Sequence, residues 1–322
     1  MFPTFDGHND LLLRLHTHPE NREKIWLTGE GKGHLDLPRM KKGGFAAGFF
    51  AIYIPSPVSH DAPDYMAQME NPPFALPLGT LITEAEALPV AMSMARQMLW
   101  MQRASNGQFK ICTTVADIRA CMSQGIVAGI MHMEGAEAID ANLDNLYAFH
   151  AMGLRSLGPV WSRPNIFGHG VPFNFPASPD TGPGLTAAGL RLVADCDRLG
   201  VLIDLSHLNE AGFWDVAKTS TKPLVATHSG AHAVTASTRN LTDRQLAAMA
   251  ERGGLVGLNF GCQFLRLDGV KNPATGPDDM LRHLDHLLAK LGETGVALGS
   301  DFDGAMMPAF IKNAAGLPKL TA

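Results

Sequence analysis

Near the start of the chain, the stretch FDGHND sets His8 and Asp10 two residues apart beside a glycine. In a β-strand, side chains at i and i+2 point the same way, so this spacing aims an imidazole and a carboxylate at one point, as a pair of metal ligands requires. Taken alone, the six residues also read as an Asp- and Asn-rich turn with a bystander histidine. Further along, Glu134 in HMEG, His207 in DLSH, His228 in ATHS and Asp301 in GSDFDG close other apolar runs with the same residue types. Burying so many ionisable groups without a metal is costly. One divalent ion needs three or four protein ligands, so the set fits two ions that share a carboxylate. The imidazole share favours Zn2+, and Mn2+ or Co2+ accept the same donors. Such a centre brings the pKa of a bound water near neutrality and polarises a carbonyl, which is the chemistry of hydrolysis.

These residues need strands to hold them. Eight short apolar runs recur: TFDGHND, FAAGFFAIYIP (45–55), GIVAGIMHMEG (125–135), LRSLGPVW (154–161), VLIDLSH (201–207), PLVATHS (223–229), GLVGLNF (254–260) and VALGSDFDG (296–304). Nearly continuous apolar runs, rather than strict alternation, mark strands buried on both faces of a parallel sheet. Helical patterns lie between them. In LTAAGLRLVADCDRLG, Thr186 caps the start, Leu192, Val193, Cys196 and Leu199 line one face and Gly200 ends the helix. In LTDRQLAAMAERGG, Thr242 and Gln245 have capping-box spacing, and Gly253 or Gly254 provides the stop. Eight strand–helix units predict an α/β fold, a (β/α)8 TIM barrel whose candidate ligands gather at the C-terminal ends of the strands. Residues 1–322 show no domain boundary. The proline-rich stretch 56–84 and the loop 162–184 interrupt the alternation and are expected to shape a pocket.

Composition narrows the partners. With 26 basic and 31 acidic residues, a formal charge of −5 and no long run of either sign, the chain is not built for nucleic acid or an anionic membrane. A small molecule is the expected client. No leader-like N-terminus or long uncharged apolar segment is present, which predicts a cytoplasmic protein. The four cysteines lie far apart and predict buried free thiols.

In order and approximate spacing, GHND, the MEG of Glu134, LGVLIDLSH, the THS of His228, SxRN and GSDFDG resemble the membrane (renal) dipeptidase family, the M19 metallopeptidases of the amidohydrolase superfamily. The resemblance spans essentially the whole chain, and the 21-residue gap from His207 to His228 matches the family's spacing. It implies two zinc ions per chain, one held by His8 and Asp10, the other by His207 and His228, with Glu134 bridging. It further implies Asp301 as acid/base and Arg239, in STRN, as the binder of the substrate's terminal carboxylate; on residue type alone Arg239 reads as a surface salt bridge. The implied activity is hydrolysis of L-X-X dipeptides, including those with a C-terminal D-residue, by a homodimer. Asp303 is expected to support its turn rather than to react, His132 to pack or to back the ligands, and His232 to cap or pack.

The sequence departs from that pattern twice. After the fourth strand, where the family usually has a histidine, stands Trp161, whose indole donates one hydrogen bond but carries no charge at neutral pH. The glycine-flanked His169 is expected to fold back in its place, so Trp161 and His169 join Arg239 as candidate substrate contacts. The chain also stops soon after Gly304, which predicts either truncation or a short final helix, with an apolar flank left for association. Two other readings use the same residues: a binuclear amidase, lactonase or phosphoester hydrolase, and a barrel that only binds.

Overall fold

Each of the eight apolar runs forms a parallel strand. In the computed structural model, which describes residues 2–57 and 65–320, these are β1 (Thr4–Asn9), β2 (Phe45–Tyr53), β3 (Val127–Glu134), β4 (Leu154–Gly158), β5 (Leu202–Ile203), β6 (Val225–Ser229), β7 (Leu255–Asn259) and β8 (Val296–Gly299). Their hydrogen-bonded order is β5-β4-β3-β2-β1-β8-β7-β6. A single parallel bridge, Asp204 to Val225, joins the two edges and nearly closes the barrel. All of β3 is buried, as a strand covered on both faces must be.

The helix signals hold. Ala187–Leu199 begins where the Thr186 side chain accepts from the Gly189 N–H and ends at a left-handed Gly200. Leu192, Val193 and Cys196 are buried along its inner face. Asp243–Glu251 carries the Thr242–Gln245 capping box, and Gly253 turns the chain out of it with φ +60°. All four cysteines are free and buried. Among the described residues no helix is long and apolar enough to cross a membrane.

Two pairings went unanticipated. A strand of three residues, Phe109–Ile111, pairs with Val127–Gly129 and so occupies the lower part of the β3 edge, whose upper part pairs with β4 from Met131 onward. Phe74–Ala75 pairs antiparallel with Asn174–Phe175 and ties the stretch 56–84, of which residues 58–64 lie outside the described ones, to the loop 162–184. Segments this short leave no periodicity to read. They seat Met69 and Phe173 in a small apolar cluster above the strand ends. On the other side, Ala314–Leu320 folds onto the helix Leu37–Gly43 and buries Leu317.

Glycines decide how the barrel closes across its middle. Gly7 on β1, Gly257 on β7 and Gly299 on β8 all face the carbonyl oxygen of Thr227 on β6; a Cβ would lie 2.3, 2.0 and 2.0 Å from it. The backbone itself fills this part of the interior, and no side chain fits. Gly299→Ala is therefore expected to destabilise the fold by about 1–3 kcal/mol, the usual cost of overpacking. Urea unfolding would show a lower midpoint with the slope unchanged; an unchanged midpoint would mean that the contact relaxes freely.

Candidate active site

β1 ends at Asn9, and Asp10 stands just before the helix Leu11–Thr17 without a side-chain capping bond to it. The two motif side chains nevertheless converge, with His8 Nε2 lying 3.4 Å from Asp10 Oδ2. Glu134, the last residue of β3, meets them from across the barrel. Its Oε1 lies 3.0 Å from His207 Nε2, 3.2 Å from His228 Nε2 and 3.6 Å from His8 Nε2. All five residues are buried, and the His8 and His228 rings stack with centroids 3.8 Å apart.

Hydrogen bonds behind the histidines determine which nitrogen faces the centre. Thr227 donates its hydroxyl proton to Asp204 Oδ2 at 2.6 Å, so at 2.9 Å from His228 Nδ1 it can only accept. His228 thus carries its proton on Nδ1 and turns a bare Nε2 lone pair toward the Glu134 oxygen. Asp204 is itself held by the Ser206 and Thr227 N–H groups. Ser162 Oγ lies 2.8 Å from His207 Nδ1. Burial, reinforced by Arg239 and His8, holds the His207 and His228 pKa values well below the ordinary imidazole range, so both rings are neutral.

Lone pairs facing a carboxylate oxygen repel unless positive charge lies between them. His8 Nδ1 and Nε2 and His228 Nε2 are buried with no hydrogen-bond partner. Burial pushes Glu134 up to about 8, against the pull of His8 and helped by Asp10. Burial opposes a charge on His8, but Glu134 and Asp10 outweigh it and raise that imidazole to about 10. The cluster demands cationic charge. Among the described residues, three groups have ligand atoms within 4.8 Å of one another: His8, Glu134 and His228; His8, Asp10 and Asp301; and, below the site, His8, His132 and Asp204. Imidazole nitrogens and carboxylate oxygens fit a divalent transition-metal ion, which takes the place of the His8 proton.

Asp301 and His207 both have left-handed backbones, with φ +60° and +68°. Such conformations are costly for residues other than glycine and persist only where the surroundings enforce them. The Asp301 N–H donates to the His8 carbonyl at 3.0 Å, and its Oδ2 accepts from Asn259 Nδ2 at 2.9 Å. Asp303 supports the turn: both its oxygens accept from Arg14 Nη1, at 2.9 and 2.8 Å, and the His34 N–H donates to it at 2.6 Å.

Arg239 is 4% exposed, which rules out a surface salt bridge. One Nη2 bond, 3.2 Å to the His228 carbonyl, holds it, and its Nε has no partner. Together with Trp161, Tyr53, Phe173, Phe264, Met69 and Gln263, it surrounds a cavity of about 250 Å³ over Asp10, Glu134, His207 and Asp301. Trp161 packs edge-on against Tyr53 and Phe173, with centroids 5.2 and 5.6 Å away, and lies 5.7 Å from the His207 ring.

His169 does not line this cavity, which corrects the expectation that it replaces the missing histidine. The loop doubles back through antiparallel bridges, Pro164 to His169 and Gly170 to Leu208, and His169 Nδ1 lies 3.4 Å from the Gly184 carbonyl. His232 packs against the Ala177 carbonyl, while His132 sits below the site, between Ser156 Oγ at 2.9 Å and Asp204 at 3.6 Å. Sequence reasoning passed over Asp204 and Asn259, although Asn259 is a polar residue at the end of an apolar strand, the very signal that marked the others. It named Trp161 but missed the rest of the aromatic wall, Tyr53, Phe173 and Phe264, and also Gln263; these sit on a loop, on the short helix Cys262–Leu265 or at a strand end already read as core.

The chain matches the family Membrane dipeptidase (Peptidase family M19) over residues 1–322. It is similar to a metallo peptidase from Rhodobacter sphaeroides, whose crystal structure is liganded with a phosphinate mimic of the dipeptide L-Ala-D-Ala: 64% identity and TM-score 0.98, covering 99% of this chain and 91% of that one. It is also similar to dipeptidase AC, a metallo peptidase of family M19, at 63% identity and TM-score 0.97 over 99% and 90% of the two chains. A Klebsiella pneumoniae protein, "Uncharacterized protein in pqqA 5'region", is 48% identical over 231 residues, 69% of this chain and 85% of that protein.

If cationic charge is what the cluster lacks, divalent metal must stabilise the fold. At a free concentration a thousand times its Kd, a metal that binds only the native state adds about 4 kcal/mol. Chelation is expected to lower the melting temperature and readdition to restore it; identical melting with and without chelator would contradict the site.

Proposed function

From the premise that the chain belongs to the membrane dipeptidase family, peptidase family M19, and is a metallo-dipeptidase, we propose that it uses a pair of Zn2+ ions to hydrolyse dipeptides that have an N-terminal L-residue and a free C-terminal carboxylate. The C-terminal residue is L or D, in keeping with the L-Ala-D-Ala mimic held by the Rhodobacter sphaeroides relative. The observation that carries this reading is the convergence of three imidazole Nε2 atoms on one Glu134 oxygen, with the His228 lone pair bare. His8 and Asp10 would hold one ion and His207 and His228 the other, with Glu134 between them. Bound there, the ions supply Lewis acidity that acidifies water and polarises the scissile carbonyl.

The chain's own groups perform the rest. Asp301, oriented by Asn259, accepts a proton from the attacking water and returns it to the departing amine. Arg239 offers its planar guanidinium to the terminal carboxylate, and burial removes the water that would compete. Because Arg239 follows β6 whereas Tyr53 ends β2 and Trp161 follows β4, a dipeptide anchored at Arg239 crosses Glu134 and lays its N-terminal residue against the Tyr53–Trp161 wall. Trp161 contributes apolar contact and water exclusion there.

Anchoring at the carboxylate predicts a strict requirement for it. Amidation of the C-terminus is expected to reduce kcat/KM at least about thirtyfold, the low end for unpairing a buried charge. Arg239→Met should lose as much on the free acid and little more on the amide. Equal turnover of acid and amide by the unaltered enzyme would replace the dipeptidase reading with a broader amidase.

A further inference from the structure

One polar side chain in the cavity has no part in these steps. Gln263 lies on the short helix Cys262–Leu265 after β7, is 4% exposed, and lines the cavity together with Arg239, Phe264 and Asp301. Its amide oxygen is buried without a hydrogen-bond partner. Such an acceptor carries its full desolvation cost, and native structures seldom keep one without a use. Arg239 Nε is an unpartnered donor in the same cavity wall. This side of the cavity therefore offers one unfilled acceptor and one unfilled donor.

The C-terminal residue of a dipeptide has the complement, a carboxylate acceptor and a peptide N–H donor on the same α-carbon. We propose that Gln263 Oε1 accepts the N–H of the scissile peptide bond while Arg239 holds the carboxylate, so that the C-terminal residue is recognised at two points; this rests on the dipeptidase reading above. The surrounding backbone suits the role. Asn259 accepts the Gly261 N–H at 2.6 Å through Oδ1 and donates to Asp301 Oδ2 at 2.9 Å through Nδ2, which makes the Gln263 segment and Asp301 one hydrogen-bonded corner. Hydrolysis adds water across the C–N bond: its oxygen bonds to the carbonyl carbon, and the nitrogen keeps the electron pair and takes a proton from Asp301. With its N–H held by Gln263, the nitrogen turns the lone pair that develops in the tetrahedral state away from Gln263 and toward Asp301. The favoured substrates are secondary amides, and analogues without the N–H are selected against.

The test compares kcat/KM for L-Ala-L-Ala with that for its ester analogue L-alanyl-L-lactate, using metal-loaded wild type, Gln263→Met and Gln263→Glu. The amide-to-ester ratio is expected to fall about tenfold in Gln263→Met, the scale of one lost hydrogen bond in a site built to make it. In Gln263→Glu, whose carboxylate still accepts the N–H, the ratio should stay within about twofold of wild type while KM rises for both substrates, because the new charge faces the substrate carboxylate. Equal losses on amide and ester in Gln263→Met would show a structural role and overturn the proposal. If that variant does not fold, wild type and Gln263→Glu decide: both must cleave L-Ala-Gly at least about tenfold faster than L-Ala-sarcosine, which lacks the N–H, and parity would overturn the proposal. Failure of wild type to cleave any dipeptide would instead overturn the underlying dipeptidase reading, and this proposal with it.

Discussion

The bare lone pair of His228, turned toward the Glu134 carboxylate by the Thr227 hydroxyl and Asp204, is the interaction on which the site depends. With a proton on that nitrogen, the contact would be an ordinary ion pair; without one it is repulsive until a metal ion, or in its absence a proton on Glu134, comes between them. Burial decides between the two, because it holds His228 and His207 neutral. The same burial raises Glu134 and Asp10, so in the absence of metal the cluster gathers protons at His8 and Glu134. A site made this way exchanges protons for metal, and its affinity for metal weakens as the pH is lowered.

The barrel exists to impose that arrangement. Closure around the Thr227 carbonyl, where three glycines leave room only for backbone, brings β6 up against β1 and β8 and with it His228 against His8. Ser300 is tied to Asp6 by two bonds, 2.7 and 2.9 Å, which fastens β8 to β1 just below Asp301. Arg14, reaching from the first helix, clamps Asp303 on the far side of the same turn. Held from both directions, Asp301 keeps a left-handed backbone it would not choose in isolation.

Much of this was legible in the sequence because chemistry and strand ends coincide: His8, Glu134, His207, His228 and Asp301 each terminate an apolar run. The eight strands could be read from the runs themselves, and the capped helices from Thr186, Gly200, Thr242 and Gln245. The walls of the cavity could not. Tyr53 looks like one more apolar residue of β2, and Phe173 is brought to the site by irregular pairings, that of Phe74–Ala75 with Asn174–Phe175 and the Val171 N–H bond to the His207 carbonyl among them. His169 misled because flanking glycines reveal freedom of the backbone but not direction; the bridges of Pro164 to His169 and Gly170 to Leu208 fix the segment, with His169 against the Gly184 carbonyl and outside the cavity lining. Arg239 had to be found buried before a carboxylate anchor could be argued from geometry.

The most direct test of the account is hydrolysis of L-Ala-L-Ala and L-Ala-D-Ala by Asp301→Asn beside wild type, with the zinc bound per chain counted in both. The account predicts two zinc ions in each protein, rapid cleavage by wild type and a loss of about 10²–10⁴ in kcat for the variant, the contribution typical of a positioned acid–base group. A folded wild type that carries two zinc ions and leaves both dipeptides intact, or a variant that retains full activity, would contradict it.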